Sequence, residues 1–364
     1  MQNYSLKCYK CSTLQKSKSV STIYCEKCKS LLICVNISDE KYDPIKSIKT
    51  SKDVGIFTLG EGNTPLIKID NIANRLGLKN LFAKLEYISP TGSFKDRGSS
   101  LVINIAKKEN IKKFVEDSSG NAGASLSAYS AACGIEAHIF VPDSAGKGKL
   151  DQISIFGANL HKIKGPRENS MIEAKKYSKI KQIPYLSHNL SPYFSEGMKS
   201  FSYEIVEELD NIDHIIFPTG NGSLLLGTWR GLLEINQTTN IKIPHLHVAQ
   251  SKNIEPIVAA YNNLSWKFDP SKKTLGSGIS VSNPPRLNEI IDAVKSSNGY
   301  AVSTEDEEAL IWQKNLAMDE GIFSEITSAF SFSVLAELVS NKKISKYEKV
   351  VIPITGSGLK EPIH

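Results

Sequence analysis

From Leu66 onward, short runs of β-branched and aromatic residues alternate with longer stretches of helical periodicity. This alternation is typical of a parallel sheet covered by helices, so it predicts an α/β protein. The predicted strands are Leu81–Leu85, Phe114–Asp117, His138–Val141, Asn159–Ile163, His214–Phe217, His245–Ala249 and Val350–Ile354. The predicted helices are Ser99–Lys108, Ala122–Cys133, Glu196–Leu209, Leu224–Glu234 and Thr304–Glu320.

The chain before Leu66 does not show this alternation of predicted strands and helices. Residues 38–53 are polar and charged and contain Pro44, which predicts a linker. A chain of 364 residues is long enough for about two domains. We therefore expect an α/β body with a small separate segment in front of it.

Composition and charge narrow the class of protein. Hydrophobic residues make up 40% and charged residues 23%, as in soluble globular proteins. No apolar run reaches the roughly 18–20 residues of a membrane span, so we expect a cytoplasmic protein with no membrane partner. The net charge of +6 comes from basic residues scattered along the chain, which favours a solvated surface over a nucleic-acid partner.

Four of the six cysteines form two C-x2-C pairs separated by thirteen residues, namely Cys8 with Cys11 and Cys25 with Cys28. Four thiolates at this spacing suit a tetrahedral zinc ion and leave no open coordination position, which predicts structural Zn²⁺. Two unrelated reduced pairs, or a redox pair, are the alternative. Cys34 and Cys133 lie outside the pattern, and we expect both to be small buried hydrophobes.

Four segments combine glycine and small polar residues at a predicted strand end or helix start. They are Pro90–Gly98, Ser118–Gly123, Pro218–Leu224 and Ile354–Lys360. Open parallel sheets place their ligands at such strand ends, and the N–H groups that begin a helix attract anions. Taken singly, each segment is also consistent with an ordinary capped helix, and Lys95 with a solvated charge.

Taken together, the segments resemble the motifs of threonine synthases, which are fold type II pyridoxal-phosphate (PLP) enzymes related in fold to tryptophan synthase β. The segment Pro-Thr-Gly-Ser-Phe-Lys-Asp-Arg-Gly resembles the cofactor-lysine motif of that family. The resemblance implies two open, parallel-rich α/β domains and a homodimer. It implies a zinc ribbon over 1–37, a larger PLP-binding domain over 38–94 and 203–364, and a smaller mobile domain over 95–202.

The resemblance also implies residue roles. Lys95 would form the Schiff base with PLP and later transfer protons. Asn121 would contact the oxygen on the cofactor ring, Ser118 and Ser119 would bind the substrate carboxylate, and Thr355 would face the pyridine nitrogen. The cofactor phosphate would lie in the turn formed by Gly220, Asn221, Gly222, Ser223 and Leu224.

The implied reaction is the conversion of O-phospho-L-homoserine and water to L-threonine and phosphate, a lyase step in amino-acid biosynthesis. Arg167 and Lys149 are the predicted ligands of the substrate phosphate, with Asn189 and Arg97 as further candidates. Ordinary surface placement is the alternative for each of them.

Departures from the family pattern leave the substrate open. Ala122 stands where threonine is common, and the phosphate turn has Gly-Asn-Gly-Ser in place of Gly-Asn-Ala-Gly. Discrimination between leaving groups depends on such contacts. The alternatives are a PLP-dependent β-replacement on phosphoserine or acetylserine and a serine/threonine ammonia-lyase.

A third hypothesis is a non-catalytic binding protein in which the ribbon contacts nucleic acid or a partner while the PLP-binding body is vestigial. The ribbon carries scattered lysines without an aromatic and basic platform, which disfavours that hypothesis. We therefore expect the substrate to be a small molecule, a phosphorylated amino acid. We expect no nucleic-acid partner.

Overall fold

The computed structural model describes residues 5–35, 57–165 and 167–361, so the predicted linker at 38–53 lies outside the described residues. The described chain divides into two compact units. The first contains the residues up to Gly62 together with Lys95–Ser200, and the second contains Asn63–Phe94 and the chain from Phe201 onward. Within these described segments, no helix is both long enough and apolar enough to span a bilayer.

The described strands, in chain order, are β1 (Ser5–Cys8), β2 (Leu14–Lys16), β3 (Leu32–Val35), β4 (Leu66–Lys68), β5 (Asn80–Lys84), β6 (Lys113–Glu116), β7 (Glu136–Pro142), β8 (Asn159–Ile163), β9 (His214–Pro218), β10 (His245–Ser251), β11 (Ala301–Thr304) and β12 (Lys349–Pro353).

The described α-helices are α1 (Asp70–Arg75), α2 (Lys95–Lys108), α3 (Asn121–Ala132), α4 (Lys147–Ile155), α5 (Arg167–Lys181), α6 (Pro192–Gly197), α7 (Ser200–Glu208), α8 (Ser223–Thr239), α9 (Pro256–Tyr261), α10 (Leu287–Ser296), α11 (Asp306–Glu320) and α12 (Ile326–Ser340). Short 3₁₀ turns occur at Ser277–Ile279 and Gly358–Lys360.

The first unit contains a parallel sheet of three strands in the order β6-β7-β8. Helices α2 and α3 are almost entirely buried within this unit. A hydrogen bond of 2.5 Å from Ser125 Oγ to Asp96 Oδ1 joins the two helices. Glu61 is fully buried and accepts hydrogen bonds from Ser100 on α2 and Tyr129 on α3, at 2.6 Å and 2.8 Å. These buried polar contacts fix the start of α2, where Lys95 lies.

The cysteine-rich segment is an antiparallel sheet of three strands in the order β2-β1-β3. It is not an independent core, because Ile23 lies in one hydrophobic cluster with Val115 and Phe140 of the parallel sheet. Polar bonds tie it further, from Tyr193 to Ser17 and from the Val20 amide to a Glu109 carboxylate oxygen. Our expectation of separate cores is therefore wrong, because this small sheet buries its apolar face against the neighbouring body.

The second unit contains a sheet of six strands in the order β11-β10-β9-β12-β5-β4. All neighbours pair in parallel except β4, which runs antiparallel at one edge. The core strands are buried over most of their length, as expected when helices cover both faces. Strand β5 also buries Lys84, whose Nζ bonds Thr64 O at 2.6 Å and pairs with Glu204 and Glu208.

The predicted strands all occur within two residues of their expected bounds, and Asn159–Ile163 matches at both ends. The predicted helix over Glu196–Leu209 is confirmed over Ser200–Glu208 but is wrong at its start, because the chain breaks there between α6 and α7. A Cβ atom at Gly197 would lie 2.3 Å from the backbone oxygen of Arg97, so the chain packs there against α2. Ser200 Oγ then donates to the Gly197 carbonyl, which ends the helix.

Candidate active site

Lys95 is the first residue of α2 and is half-buried. Its Nζ lies 5.7 Å from the centroid of the Phe194 ring, on α6 of the same unit. Gly98 lies one turn further along α2 and permits this packing, because a Cβ there would approach Phe194 to 2.7 Å. The lysine is therefore held at a helix start beside a buried aromatic ring.

The turn that follows β6 forms an anion-binding geometry in the same unit. After Asp117 come Ser118 and Ser119, and α3 begins at Asn121. A Cβ atom at Gly123 would lie 2.0 Å from the carbonyl oxygen of Ser118, so only glycine allows the turn to fold back on the helix. The first N–H groups of a helix have no partner within it and carry partial positive charge, which favours an anion at this point.

Two acidic residues lie directly beneath this turn. Glu116 is fully buried, and its Oε1 lies 2.6 Å from Nδ1 of His188. The backbone N–H of His188 donates to Glu116 Oε2 at 3.0 Å. Tyr185 donates to Asp117 Oδ1 at 2.5 Å. The turn therefore has hydrogen-bonded acids behind it.

Burial sets the protonation of these groups. It raises the pKa of Glu116 to about 8, although hydrogen bonds from the His188 and Asp117 amides act in the opposite direction. It lowers the pKa of His188 well below its ordinary value, and the charge of Lys95 adds to that effect. Burial also raises the pKa of Asp117, helped by the charge of Glu116.

The second unit contains a similar turn between β9 and α8. A Cβ atom at Gly220 would lie 2.7 Å from the carbonyl oxygen of Gly278. Gly222 has a φ of +75°, and a Cβ there would lie 2.5 Å from Ile290. Glycine is therefore required at both positions, by close backbone approach and by the left-handed conformation. Helix α8 has 17 residues, so its start is a strong anion-binding end.

Thr355 follows β12 and lies in a buried cluster of hydroxyl and carboxylate groups. Its hydroxyl donates to Glu325 Oε1 at 3.0 Å and lies 2.9 Å from Ser328 Oγ. Its backbone N–H donates to the same Ser328 oxygen at 2.9 Å. A Cβ at the following Gly356 would lie 2.4 Å from the Glu325 carboxylate. Glu325 and Ser328 thus fix the direction of this hydroxyl.

The candidate phosphate ligands lie in different settings. Arg167 is exposed and opens α5, and the preceding Pro166 lies outside the described residues. Its charge acts on both Glu116 and His188. Lys149 is half-buried on α4.

The two other phosphate candidates are committed to local contacts. Arg97 is fully buried and donates from Nη1 to Ser200 at 2.8 Å, so it does not have the surface placement that was its alternative. Asn189 Oδ1 accepts a hydrogen bond from Ser187 at 2.5 Å. Arg167 and Lys149 are therefore the better-placed candidates.

The sulfur atoms of Cys8, Cys11, Cys25 and Cys28 all lie within 4.8 Å of one another. Cys8 and Cys28 approach to 3.3 Å, and Cys11 and Cys25 to 3.7 Å. Hydrogen bonds with Thr13 lower the pKa of Cys11 to about 6, whereas burial raises the pKa of Cys8 to about 12. Of the remaining cysteines, Cys34 is buried as expected, but Cys133 is half-exposed at the end of α3.

Sequence reasoning missed the partners behind these turns. Glu116 ends β6 directly after the buried Phe114 and Val115, and Asp117 follows it, so a charged pair at the end of an apolar run is a signal that could have found them. His188 is 72 residues away from Glu116 in the chain, and nothing local connects them. Glu325 and Ser328, which hold the Thr355 hydroxyl, were assigned no role from the sequence.

The comparisons with known proteins agree with this geometry. Residues 57–356 match the family model described as pyridoxal-phosphate dependent enzyme. The chain is 33% identical to the threonine synthase of Methanocaldococcus jannaschii over 98% of this chain and 93% of that one. It is 32% identical to the threonine synthase of Methanosarcina acetivorans over 99% and 93%.

Solved structures share the fold. Maize serine racemase matches with a TM-score of 0.74 at 22% identity, covering 88% of this chain and 94% of that one. Threonine deaminase isoform 2 from Solanum lycopersicum matches with a TM-score of 0.73 at 18% identity, covering 88% and 85%. The chain therefore belongs to the pyridoxal-phosphate-dependent enzyme family, as a lyase similar to threonine synthases.

Proposed function

We propose that this protein converts O-phospho-L-homoserine and water into L-threonine and inorganic phosphate. The observation that carries the proposal is the similarity of nearly the whole chain to curated threonine synthases. The charge of Arg167, which acts on the groups beneath the Ser118–Ser119 turn, supports a phosphorylated substrate.

The residues present fit pyridoxal phosphate. The turn at Gly220–Leu224 has no room for a Cβ atom at Gly220 or Gly222, and it opens the long helix α8, as a phosphate cradle requires. Thr355 offers a hydroxyl of fixed direction for the pyridine nitrogen. Lys95 supplies the amine for covalent attachment, and Asn121 an amide for the ring oxygen.

When bound, the cofactor accepts electron density from the carbon atoms next to the substrate nitrogen. The chain contributes the remaining functions. Lys95 carries protons to and from the substrate carbons. Ser118, Ser119 and the start of α3 orient the substrate carboxylate, and Arg167 with Lys149 binds its phosphate. A planar guanidinium holds a phosphate through two parallel hydrogen bonds, so Arg167 is the stronger of these two ligands.

A second candidate function is β-replacement or ammonia release on a less charged substrate. Glu116 and Asp117, two buried acids beneath the anion turn, favour it, because an ionised carboxylate there would repel a phosphate dianion. The raised pKa of Glu116 weakens this repulsion of a phosphate at neutral pH, because the carboxyl group is then largely protonated.

The test is a substrate panel with the purified PLP-loaded protein, in which phosphate, ammonia and amino-acid products are all measured. We expect equal amounts of phosphate and threonine from O-phospho-L-homoserine. Arg167→Ala should lower kcat/KM by roughly ten- to a hundredfold, since charge-assisted hydrogen bonds contribute ~1.5–3 kcal/mol. Turnover of serine, phosphoserine or acetylserine without any product from phosphohomoserine would overturn the assignment.

We also propose a structural zinc ion on Cys8, Cys11, Cys25 and Cys28. Ligands at the usual Zn–S distance of ~2.3 Å in a tetrahedron place the sulfurs ~3.8 Å apart, close to the separations found here. Metal analysis of fresh, reduced protein should give one zinc per chain, and no zinc would contradict the proposal.

Because Ile23 shares a cluster with the α/β body, Cys25→Ser should lower the unfolding temperature of the body as well.

The homodimer that the family resemblance implies is likewise a proposal. Sedimentation or light scattering of the PLP-loaded protein would test it, and a mass of one chain, 40.0 kDa, would contradict it.

A further inference from the structure

The buried pair Glu116–His188 has no role in the function proposed above. Glu116 is fully buried, and His188 is 5% exposed. Glu116 Oε1 lies 2.6 Å from the imidazole Nδ1, and the same histidine donates its backbone N–H to Oε2. Two contacts from one residue fix both the carboxyl group and the ring.

The pair lies beside the groups assigned to the reaction. The His188 ring packs edge-on against Phe194 with a centroid separation of 5.9 Å. Lys95 Nζ lies over the same Phe194 ring at 5.7 Å. Glu116 is two residues before Ser118 in the anion turn. All of these residues belong to one compact unit, so the pair is part of the surroundings of Lys95.

The protonation of the pair follows from burial. The raised pKa of Glu116 and the lowered pKa of His188 mean that the pair holds one shared proton between Oε1 and Nδ1 at neutral pH and carries no net charge. The second ring proton is then on Nε2. Among the described residues, no hydrogen bond to Nε2 occurs, so this N–H is available to a bound molecule.

Four other charged or titratable groups act on the pair. Lys95 and Arg167 place positive charge near both members, while Asp117 opposes them at His188. Tyr185 is hydrogen-bonded to Asp117, and burial raises the pKa of both groups. The direct contact between Glu116 and His188 is the route by which a proton can pass between the carboxyl group and the ring.

We propose that Glu116 and His188 act as a general-acid dyad, in which His188 Nε2 protonates the leaving group of the substrate and Glu116 resupplies the ring. The inference rests on the proposed function for the identity of that leaving group, which is phosphate. His188 touches the substrate and is the catalytic member, and Glu116 acts through it.

The proton balance closes over one turnover. As the bond between the γ-carbon and the phosphate oxygen breaks, its electron pair stays on that oxygen, which takes the proton from Nε2. Nδ1 takes the proton of the Glu116 carboxyl, leaving a carboxylate and a neutral ring. The water that supplies the hydroxyl group of threonine returns its proton to Nε2, and the shared proton moves back towards Glu116. No oxidant or further reactant is needed.

The experiment measures kcat and KM against pH for the PLP-loaded wild type, Glu116→Gln and His188→Gln. We expect His188→Gln to lower kcat roughly a hundredfold with little change in KM, as for loss of a general acid. The wild-type kcat should fall above about pH 8, where Glu116 ionises. Glu116→Gln has no proton to lose and should lack that fall. His161→Gln changes another histidine of the same unit, hydrogen-bonded to His138, and should behave as wild type.

Cofactor absorbance and unfolding temperature separate this role from a structural one. Wild-type kcat values for His188→Gln, or the same alkaline fall in Glu116→Gln as in wild type, would overturn the dyad. If one variant does not fold, the other decides, since each has its own expected signature. Absence of threonine from wild-type protein would instead contradict the proposed function. In that case the wild-type kcat for whichever substrate the protein accepts should still fall above about pH 8. Absence of this fall would overturn the dyad.

Discussion

The turn before α3 and the turn before α8 have similar sequences but different chemistry beneath them. Each follows a buried parallel strand, contains small polar residues and glycines, and opens a helix. Glu116 and Asp117 precede the first turn, whereas Phe217 and Pro218 precede the second. We infer that a turn holding one anion throughout the catalytic cycle needs only rigid backbone donors, whereas a turn beside a substrate that arrives, reacts and leaves also needs groups able to exchange protons.

The buried Glu116 beneath the turn before α3 should make the free energy of unfolding depend on pH. This is the largest expected effect that distinguishes that turn from the turn before α8. Its folded pKa of about 8 is above its unfolded value, so the folded state binds the proton more tightly, and stability falls as pH rises from about 4.5 to about 8. Relative to Glu116→Gln, we expect the wild-type free energy of unfolding to decrease by on the order of 2–4 kcal/mol across that window. Urea titrations at several pH values measure it. A constant difference between the two proteins would contradict the burial argument.

Gly123→Ala should break the first turn alone. The new Cβ would lie 2.0 Å from the Ser118 carbonyl oxygen, a backbone atom that cannot move without displacing the turn. Overpacking of this kind costs about 1–3 kcal/mol, visible as a lower urea midpoint. Gly120→Ala, in the same turn, has open space around its Cβ and is the matched control. Equal losses for the two variants would show that the contact with Ser118 is not the cause.

Gly222→Ala should act on the second turn. Its φ of +75° and the approach to Ile290 distort the proposed phosphate cradle. Since such backbone strain costs on the order of 1–3 kcal/mol, PLP affinity should fall roughly tenfold or more. Fluorescence titration of the apoprotein with PLP measures the change. Gly321→Ala has a similar φ of +69° with open space at the end of α11, and it should reduce stability without weakening PLP binding.

The sequence predicted what depends on local pattern. Strand positions were found within two residues because apolar runs bounded by turns form the buried sheets. Lys95 and the two glycine turns were identified from short motifs. The cysteine cluster was identified from spacing alone, and its sulfur atoms do lie together.

The features that the sequence did not reveal depend on contacts between distant parts of the chain. Glu116 meets His188 across 72 residues, and Thr355 meets Glu325 across 30. The packing of Ile23 into the α/β core requires knowing which surface the small sheet covers. The edge strands β4 and β11 were missed because three or four residues are too few to show a period.

The identity of the lysine that carries the cofactor is the most direct test of the account as a whole. Borohydride reduction of the PLP-loaded protein, followed by digestion and peptide mass analysis, should place a phosphopyridoxyl group on Lys95. Lys95→Ala should lose both this label and turnover, while its unfolding temperature is measured to establish that it folds. A label on another lysine, or a Lys95→Ala protein that still converts substrate, would contradict the assignment of Lys95 and of the site built around it.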